Sequence, residues 1–141
     1  MAKAALTVRD CESLVRGILN YLYARKIVVA RQRRGRVSVN FLPNAELRFL
    51  KKKYLKKDVA VVDVLSFPEK ENFPDPESDK VSLGEIFINK TIVAQNPVRA
   101  RYLLLHGLLH LLGYDHISKS DNMEMRKTEL MVLKKMGWRE E

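Results

Sequence analysis

The sequence predicts an α+β domain of two layers, a small mixed sheet packed against helices, with one central buried helix. Three observations lead there. Short β-branched and apolar stretches (36–42, 59–67 and 83–88) alternate with segments whose apolar residues recur at helical spacing. Leucines at 103, 104, 105, 108, 109, 111 and 112 wrap nearly every face of one helix, which places it in the core. The chain's three histidines, His106, His110 and His116, all fall on or just beyond that helix. At 141 residues, the chain is long enough for a sizeable core in a single domain, 1–141.

The first element is an amphipathic helix near 8–25, with Cys11, Leu14, Val15, Ile18 and Leu22 as its buried stripe. Cys11 then reads as a small core residue and not a reactive thiol. Ile27–Ala30 and Val37–Leu42 have strand composition and flank the basic run Arg31-Gln32-Arg33-Arg34-Gly35-Arg36. At least one strand, 36–42, is expected, with a hairpin as the alternative that uses both stretches. The arginine run serves either as a solvated turn or as a contact for phosphates.

A second helix, 44–53, follows the turn at Pro43, with Asn44 as its N-cap. Five lysines (51, 52, 53, 56 and 57) crowd its end, more than the helix dipole requires. Residues 59–67 read as a buried strand halted by Pro68. Residues 69–80 are acidic and contain Pro74 and Pro76, the composition of an exposed loop. Residues 83–88 form a further strand, on which Glu85 is expected to be exposed. Asn96 as N-cap and Pro97 at the first position start the central helix. A last helix is capped by Ser120 or Asp121, carries Met125, Val132, Leu133 and Met136 as its stripe, and ends at Gly137 with Trp138 folding back.

The histidines stand at i, i+4 and i+10. Two histidines four apart share a helix face, about 5–6 Å between Cβ atoms, which suits two ligands of one ion. Gly113 ends the helix and lets the chain double back, bringing His116 to the same point. Structural zinc sites are closed by four protein ligands and are usually cysteine-rich, whereas catalytic ones keep a position open. One cysteine in the chain favours the open, catalytic kind, with one divalent ion as the cofactor. The spacing also matches H-E-x-x-H-x-x-G-x-x-H of zincin-type metalloproteases, glycine included. Gly107 stands where those enzymes place the glutamate base, so peptide hydrolysis loses its proton acceptor.

Lys+Arg 26 against Asp+Glu 17 gives a net charge of +9, which suits a polyanionic partner. A single cysteine excludes a disulfide framework, no apolar leader opens the chain, and no stretch is long enough to span a bilayer. The expectation is a cytoplasmic protein with no membrane partner.

His106-Gly-x-Leu-His110-Leu-x-Gly113-Tyr-Asp-His116 resembles the signature of the YbeY family of metal-dependent endoribonucleases. Asp63-Val64-Leu65-Ser66-Phe67-Pro68 is similar to the D-V-L-S-F-P strand of that family, and Leu83-Gly84-Glu85-Ile86 to its G-D-I element. The resemblance covers about 44–116. It implies a zincin-like two-layer fold and a nuclease that acts on single-stranded RNA, maturing small-subunit ribosomal RNA and taking part in ribosome quality control. It also implies a single metal, usually zinc, held by His106, His110 and His116. The family places an arginine after the tyrosine of its second helix. Here the segment reads Tyr54-Leu55-Lys56-Lys57-Asp58, so Lys56 becomes the cationic substitute, a point charge without bidentate geometry. Glu85 stands in place of the family aspartate.

The site residues expected from all this are His106 and Lys56 for catalysis, with His106, His110 and His116 on the metal. The ion would lower the pKa of its water toward about 7 and polarise a phosphoryl oxygen, while Lys56 offsets developing charge. Bases stack on an exposed aromatic such as Tyr114. Asp115 stands beside the site, where orienting a ligand histidine is an equal alternative to acting as base, and the role of general base stays unassigned. Two competing readings remain: an RNA-binding ribosome-assembly factor with a structural metal, and a metalloprotease lacking its glutamate.

Overall fold

Thr7 starts the first helix, α1 (Val8–Ala24): its hydroxyl accepts from the Asp10 amide while the Asp10 carboxylate accepts from the Thr7 amide. The structure is a computed structural model that describes residues 5–69, 81–114 and 119–139. Cys11, Val15, Ile18, Leu19 and Leu22 form the buried stripe of α1. Burial, reinforced by Asp10 and Glu12, pushes the Cys11 thiol up to about 12, which leaves it an inert core residue.

No hairpin follows. Val28 is buried, but Ala30–Arg33 form a single helical turn, α2, whose start is held by the Gln32 side chain bonding back to the Val29 amide at 3.0 Å. The expected strand forms as β1 (Arg36–Leu42) and pairs in parallel with β3, a pairing that a tight turn cannot make. Pro43 caps α3 (Asn44–Leu55), two residues longer than expected.

Asn44, expected as the cap, works at longer range. Its side chain accepts from the Val62 amide at 2.9 Å and donates to the Ala60 carbonyl at 2.9 Å. Asn89 completes the clamp by donating to the Val62 carbonyl at 3.0 Å. Two side-chain amides thus satisfy a backbone that would otherwise need a strand partner. Residues 59–63 accordingly stay irregular and only 64–68 form β2 (Val64–Pro68), with Pro68 inside it on an edge.

β3 (Ser82–Asn89) is the centre of a three-stranded mixed sheet of order β1-β3-β2, antiparallel to β2 with Ser66 opposite Ile86. Its Glu85 is exposed, as expected. A short helix, α4 (Lys90–Gln95), leads into α5 (Pro97–Leu111), where Asn96 caps and Pro97 sits first. One sheet face carries Val37, Val39, Ile86 and Ile88 into the main core with α1, α5 and α6 (Lys119–Met136). The other face carries Leu65, Phe67 and Phe87, which pack against Leu47 and Leu50 of α3.

Neither Ser120 nor Asp121 caps the last helix, because α6 already runs from Lys119 and contains both. Met125, Val132 and Leu133 are buried, and the Trp138 amide bonds back to the Leu133 carbonyl. Of the acidic loop expected at 69–80, residues 70–80 lie outside the described residues, and the Glu69 amide bonds to the Leu83 carbonyl. Among the described residues, no helix is long and apolar enough to cross a membrane.

Two glycines separate strain from propensity. Gly84 has φ +136°, and a Cβ there would stand 2.3 Å from the Phe67 carbonyl oxygen. Gly84→Ala should destabilise the fold by about 3 kcal/mol or more, combining backbone strain with a backbone clash. Gly17 lies in mid-helix, where an added methyl would meet nothing within 4 Å, and should gain about 0.5–1 kcal/mol as alanine. Urea titration of the two variants checks both signs.

Candidate active site

α5 is apolar on almost every side, so a polar group that it turns inward needs a partner ready to receive it. His106 and His110 lie one turn apart, with ring centroids 4.7 Å apart and planes at 78°. Each ring has its Nδ1 tied down. His110 Nδ1 donates to the Tyr114 carbonyl at 2.9 Å, and His106 Nδ1 lies 3.3 Å from Glu129 Oε2.

The Tyr114 contact is built by the helix end. Gly113 adopts φ +103°, so its amide bonds to the His110 carbonyl and the Tyr114 amide to the Leu109 carbonyl. This is the left-handed helix stop in which residues beyond the end fold back over the last turn. It carries the Tyr114 carbonyl to the imidazole four residues earlier.

Glu129 is the partner that the sequence reading missed. It is 3% exposed, yet it accepts from Tyr102 Oη at 3.0 Å, from the Arg126 guanidinium and from His106. Burial alone would raise its carboxyl pKa, but the bonds from His106, Arg126 and Tyr102 outweigh burial and hold it below the ordinary 4.5. A signal did exist. Glu129 falls at i+4 between Met125 and Leu133 on the apolar face of α6, where an unpaired acid has no place.

With both Nδ1 atoms engaged as donors, the two Nε2 atoms turn toward each other, 3.1 Å apart. Two nitrogens about 2.0–2.1 Å from one tetrahedral ion stand roughly 3.3 Å apart, so this donor pair fits a zinc-like cation. A carbonyl and a carboxylate behind the two imidazoles are also the partners that orient metal-bound histidines. The C-terminal end of α5 adds the negative pole of a helix dipole. The third expected ligand, His116, lies outside the described residues, as does Asp115. Among the described residues, no group of three His, Cys, Asp or Glu side chains gathers as a ligand set.

The histidines open onto a cleft of about 480 Å³ between α5, the edge strand β2 and the end of α3. Its walls include Ser66, Gly107, Tyr114, Leu55 and Lys51. Gly107 both lines the cleft and presses on β3, since a Cβ there would stand 3.1 Å from Ile86 Cγ2. Lys51, half-buried, is the cation on this wall. Lys56 closes α3 with left-handed dihedrals (φ 58°, ψ 32°) and is exposed beyond the lining. Tyr114 is half-buried, with its hydroxyl 3.1 Å from Thr128 Oγ1, and presents less face than an exposed stacking residue would.

The family model described as Endoribonuclease YbeY matches residues 2–137. The Endoribonuclease YbeY of Thermodesulfovibrio yellowstonii is 37% identical, over 86% of this chain and 83% of its own. That of Alkaliphilus metalliredigens is 36% identical over 72% and 70%, and that of Finegoldia magna 38% identical over 72% and 69%.

Glu129 makes a pH-dependent contribution whose sign follows from its lowered pKa. Such a group adds stability that is complete above the ordinary value and lost as pH falls through the depressed one. In chelator-treated protein at neutral pH, Glu129→Gln should cost about 2 kcal/mol, the loss of charge-assisted bonds in a buried position. The gap from the unsubstituted protein should close on acidification below pH 4.5. Urea titrations at a series of pH values measure it, and a gap that stays constant in acid would assign the loss to packing.

Proposed function

The chain belongs to the YbeY endoribonuclease family, and on that footing we propose that it hydrolyses single-stranded RNA at the histidine cleft with one divalent ion, zinc, as cofactor. His106 and His110 hold that ion, and His116 completes the set. The biological setting is maturation of small-subunit ribosomal RNA and ribosome quality control in the cytoplasm. A single observation carries the metal reading: the paired Nε2 atoms 3.1 Å apart, each on a ring whose Nδ1 is already committed as a donor. Two facing lone pairs repel unless a cation or a proton lies between them.

When bound, a divalent ion supplies Lewis acidity to a phosphoryl oxygen and to water. The chain's own residues supply the rest. Glu129 and the Tyr114 carbonyl fix the tautomers of His106 and His110, so both rings present the same nitrogen to the cleft. Lys51 faces the scissile phosphate from the opposite wall and offsets the charge that develops there. Lys56, one turn further along α3, contacts an outer phosphate of the same strand. Gly107 leaves the helix wall without a side chain, which makes room for the ribose-phosphate backbone.

Incubation of the purified protein with labelled single-stranded RNA, and separately with casein, tests this reading. RNA should be cut, casein should not, and chelator should abolish cutting until zinc is restored. His106→Ala, His110→Ala and His116→Ala should each lower cleavage by at least about a hundredfold, while Lys51→Ala costs about 10²-fold and Lys56→Ala much less. RNA that binds but is never cut would favour the assembly-factor reading. Cleavage that persists in His110→Ala would sink the site assignment.

A further inference from the structure

Helix α3 carries a second feature that the cleft does not use. Phe49 and Tyr54 are 63% and 58% exposed, although rings of this size are normally withdrawn from water. Lys53 Nζ stands over both, 5.8 Å from the Phe49 centroid and 5.3 Å from that of Tyr54. Tyr54 is held at its edge by Phe67, 5.7 Å away, so its orientation is set by the sheet beneath. Between Arg48 and Lys57 the chain holds six cations and no carboxylate. Arg48 pairs with Asp58, and among the described residues none of the five lysines forms an ion pair.

Helical geometry arranges these groups in sequence around α3. At about 100° per residue, Lys51 and Leu55 share the flank that lines the cleft. Lys52 and Lys56 follow on the solvent side, and Phe49 and Lys53 lie beyond them. A polyanion leaving the cleft over the solvent side meets cations at every step and then reaches the Phe49 ring, while Tyr54 lies on the flank toward the sheet, against Phe67, with Lys53 reaching toward both rings. Charge complementarity together with accessible π-faces is the chemistry of single-stranded nucleic acid.

We propose that the outer surface of α3 docks the single strand of RNA that leaves the histidine cleft, with Phe49 and Tyr54 as base-stacking faces on either side of a phosphate held by Lys53. The inference rests on the reading of the cleft as the place of RNA cleavage, and it adds where the flanking nucleotides bind. It also accounts for Lys53 lying over two rings: the ammonium is pre-placed between the positions of adjacent bases.

The test uses the intact chain in excess chelator, so that binding is read without cleavage. Anisotropy titrations compare a labelled oligouridylate with the same ribose-phosphate chain lacking its bases. Phe49→Ala should weaken oligouridylate binding by roughly fivefold or more and leave the base-free chain unaffected. Phe49→Trp should restore affinity. Lys52→Ala/Lys53→Ala should weaken both ligands and reduce the salt slope by about 0.7 for each phosphate no longer neutralised. Phe49 is exposed enough for its removal to leave the fold intact, which unchanged urea midpoints verify. The proposal is overturned if Phe49→Ala binds both ligands normally or weakens both alike. It is overturned too if the ring instead governs self-association in sedimentation while RNA binding is unchanged. Stacking at α3 without cleavage at the cleft would leave this inference standing and remove the hydrolytic reading alone.

Discussion

The architecture turns on a constraint at the level of two hydrogen atoms: the Nδ1 protons of His106 and His110 are both directed away from the cleft. Once the Tyr114 carbonyl and Glu129 accept them, the remaining ring nitrogens have to confront each other across 3.1 Å. Much of the surrounding structure serves that arrangement. Gly113 supplies the left-handed turn that swings the Tyr114 carbonyl back, and α6 must pack close enough to α5 to deliver a buried carboxylate. Tyr102 and Arg126 then satisfy the other lone pairs of Glu129, without which a buried charge is costly. The result sacrifices apolar packing for a polar cluster, which is the trade expected where function overrides core packing.

The sheet determines what lies across from the two histidines. Because β2 is an edge strand, α3 closes the third side of the cleft among the described residues, and it does so with Lys51 and Leu55. Gly107 lets α5 settle against Ile86 and at the same time leaves a bare stretch of wall. The same position would hold the base in a zincin peptidase. Loss of that carboxylate and gain of a lysine opposite both move the site from an amide substrate toward a phosphodiester. A negatively charged base beside the histidines would repel phosphate, whereas a lysine attracts it.

The central helix was legible residue by residue, since Asn96, Pro97, the leucine pattern and Gly113 each carry a local signal of known geometry. The strands were legible in composition and less so in extent. Residues 59–63 look like strand, but the Asn44 and Asn89 side chains satisfy their backbone, and a contact 18 or 27 residues away leaves no mark on local periodicity. The hairpin reading failed for a related reason: β1 finds its partner in β3, in parallel, far along the chain. Around the site, His106 and His110 stood out by spacing. Glu129 and Lys51 did not, because a residue's role there depends on which helix face meets the cleft. Glu129 was visible only as an acid out of place in an apolar stripe, and Lys51 only as one of five similar lysines.

Ordering the charges from inside outward shows how a molecule that is basic overall can carry a cation-favouring pair of histidines at its centre. Glu129 and the negative end of α5 lie behind the imidazoles, so the inner wall favours positive charge. The lysines of α3 lie in front, so the outer wall favours negative charge. A phosphodiester placed between a cation on the histidines and Lys51 has opposite charge on both sides, and neither wall alone would hold it. A net charge of +9 spread evenly would bring polyanions to the surface without directing them. Burying Glu129 behind the histidines and clustering five lysines at the end of α3 gives that general attraction a direction under the proposed reading. A lysine suits that reading because its point charge accepts a phosphate from many directions, so a strand can advance through the cleft without breaking a fixed bidentate contact.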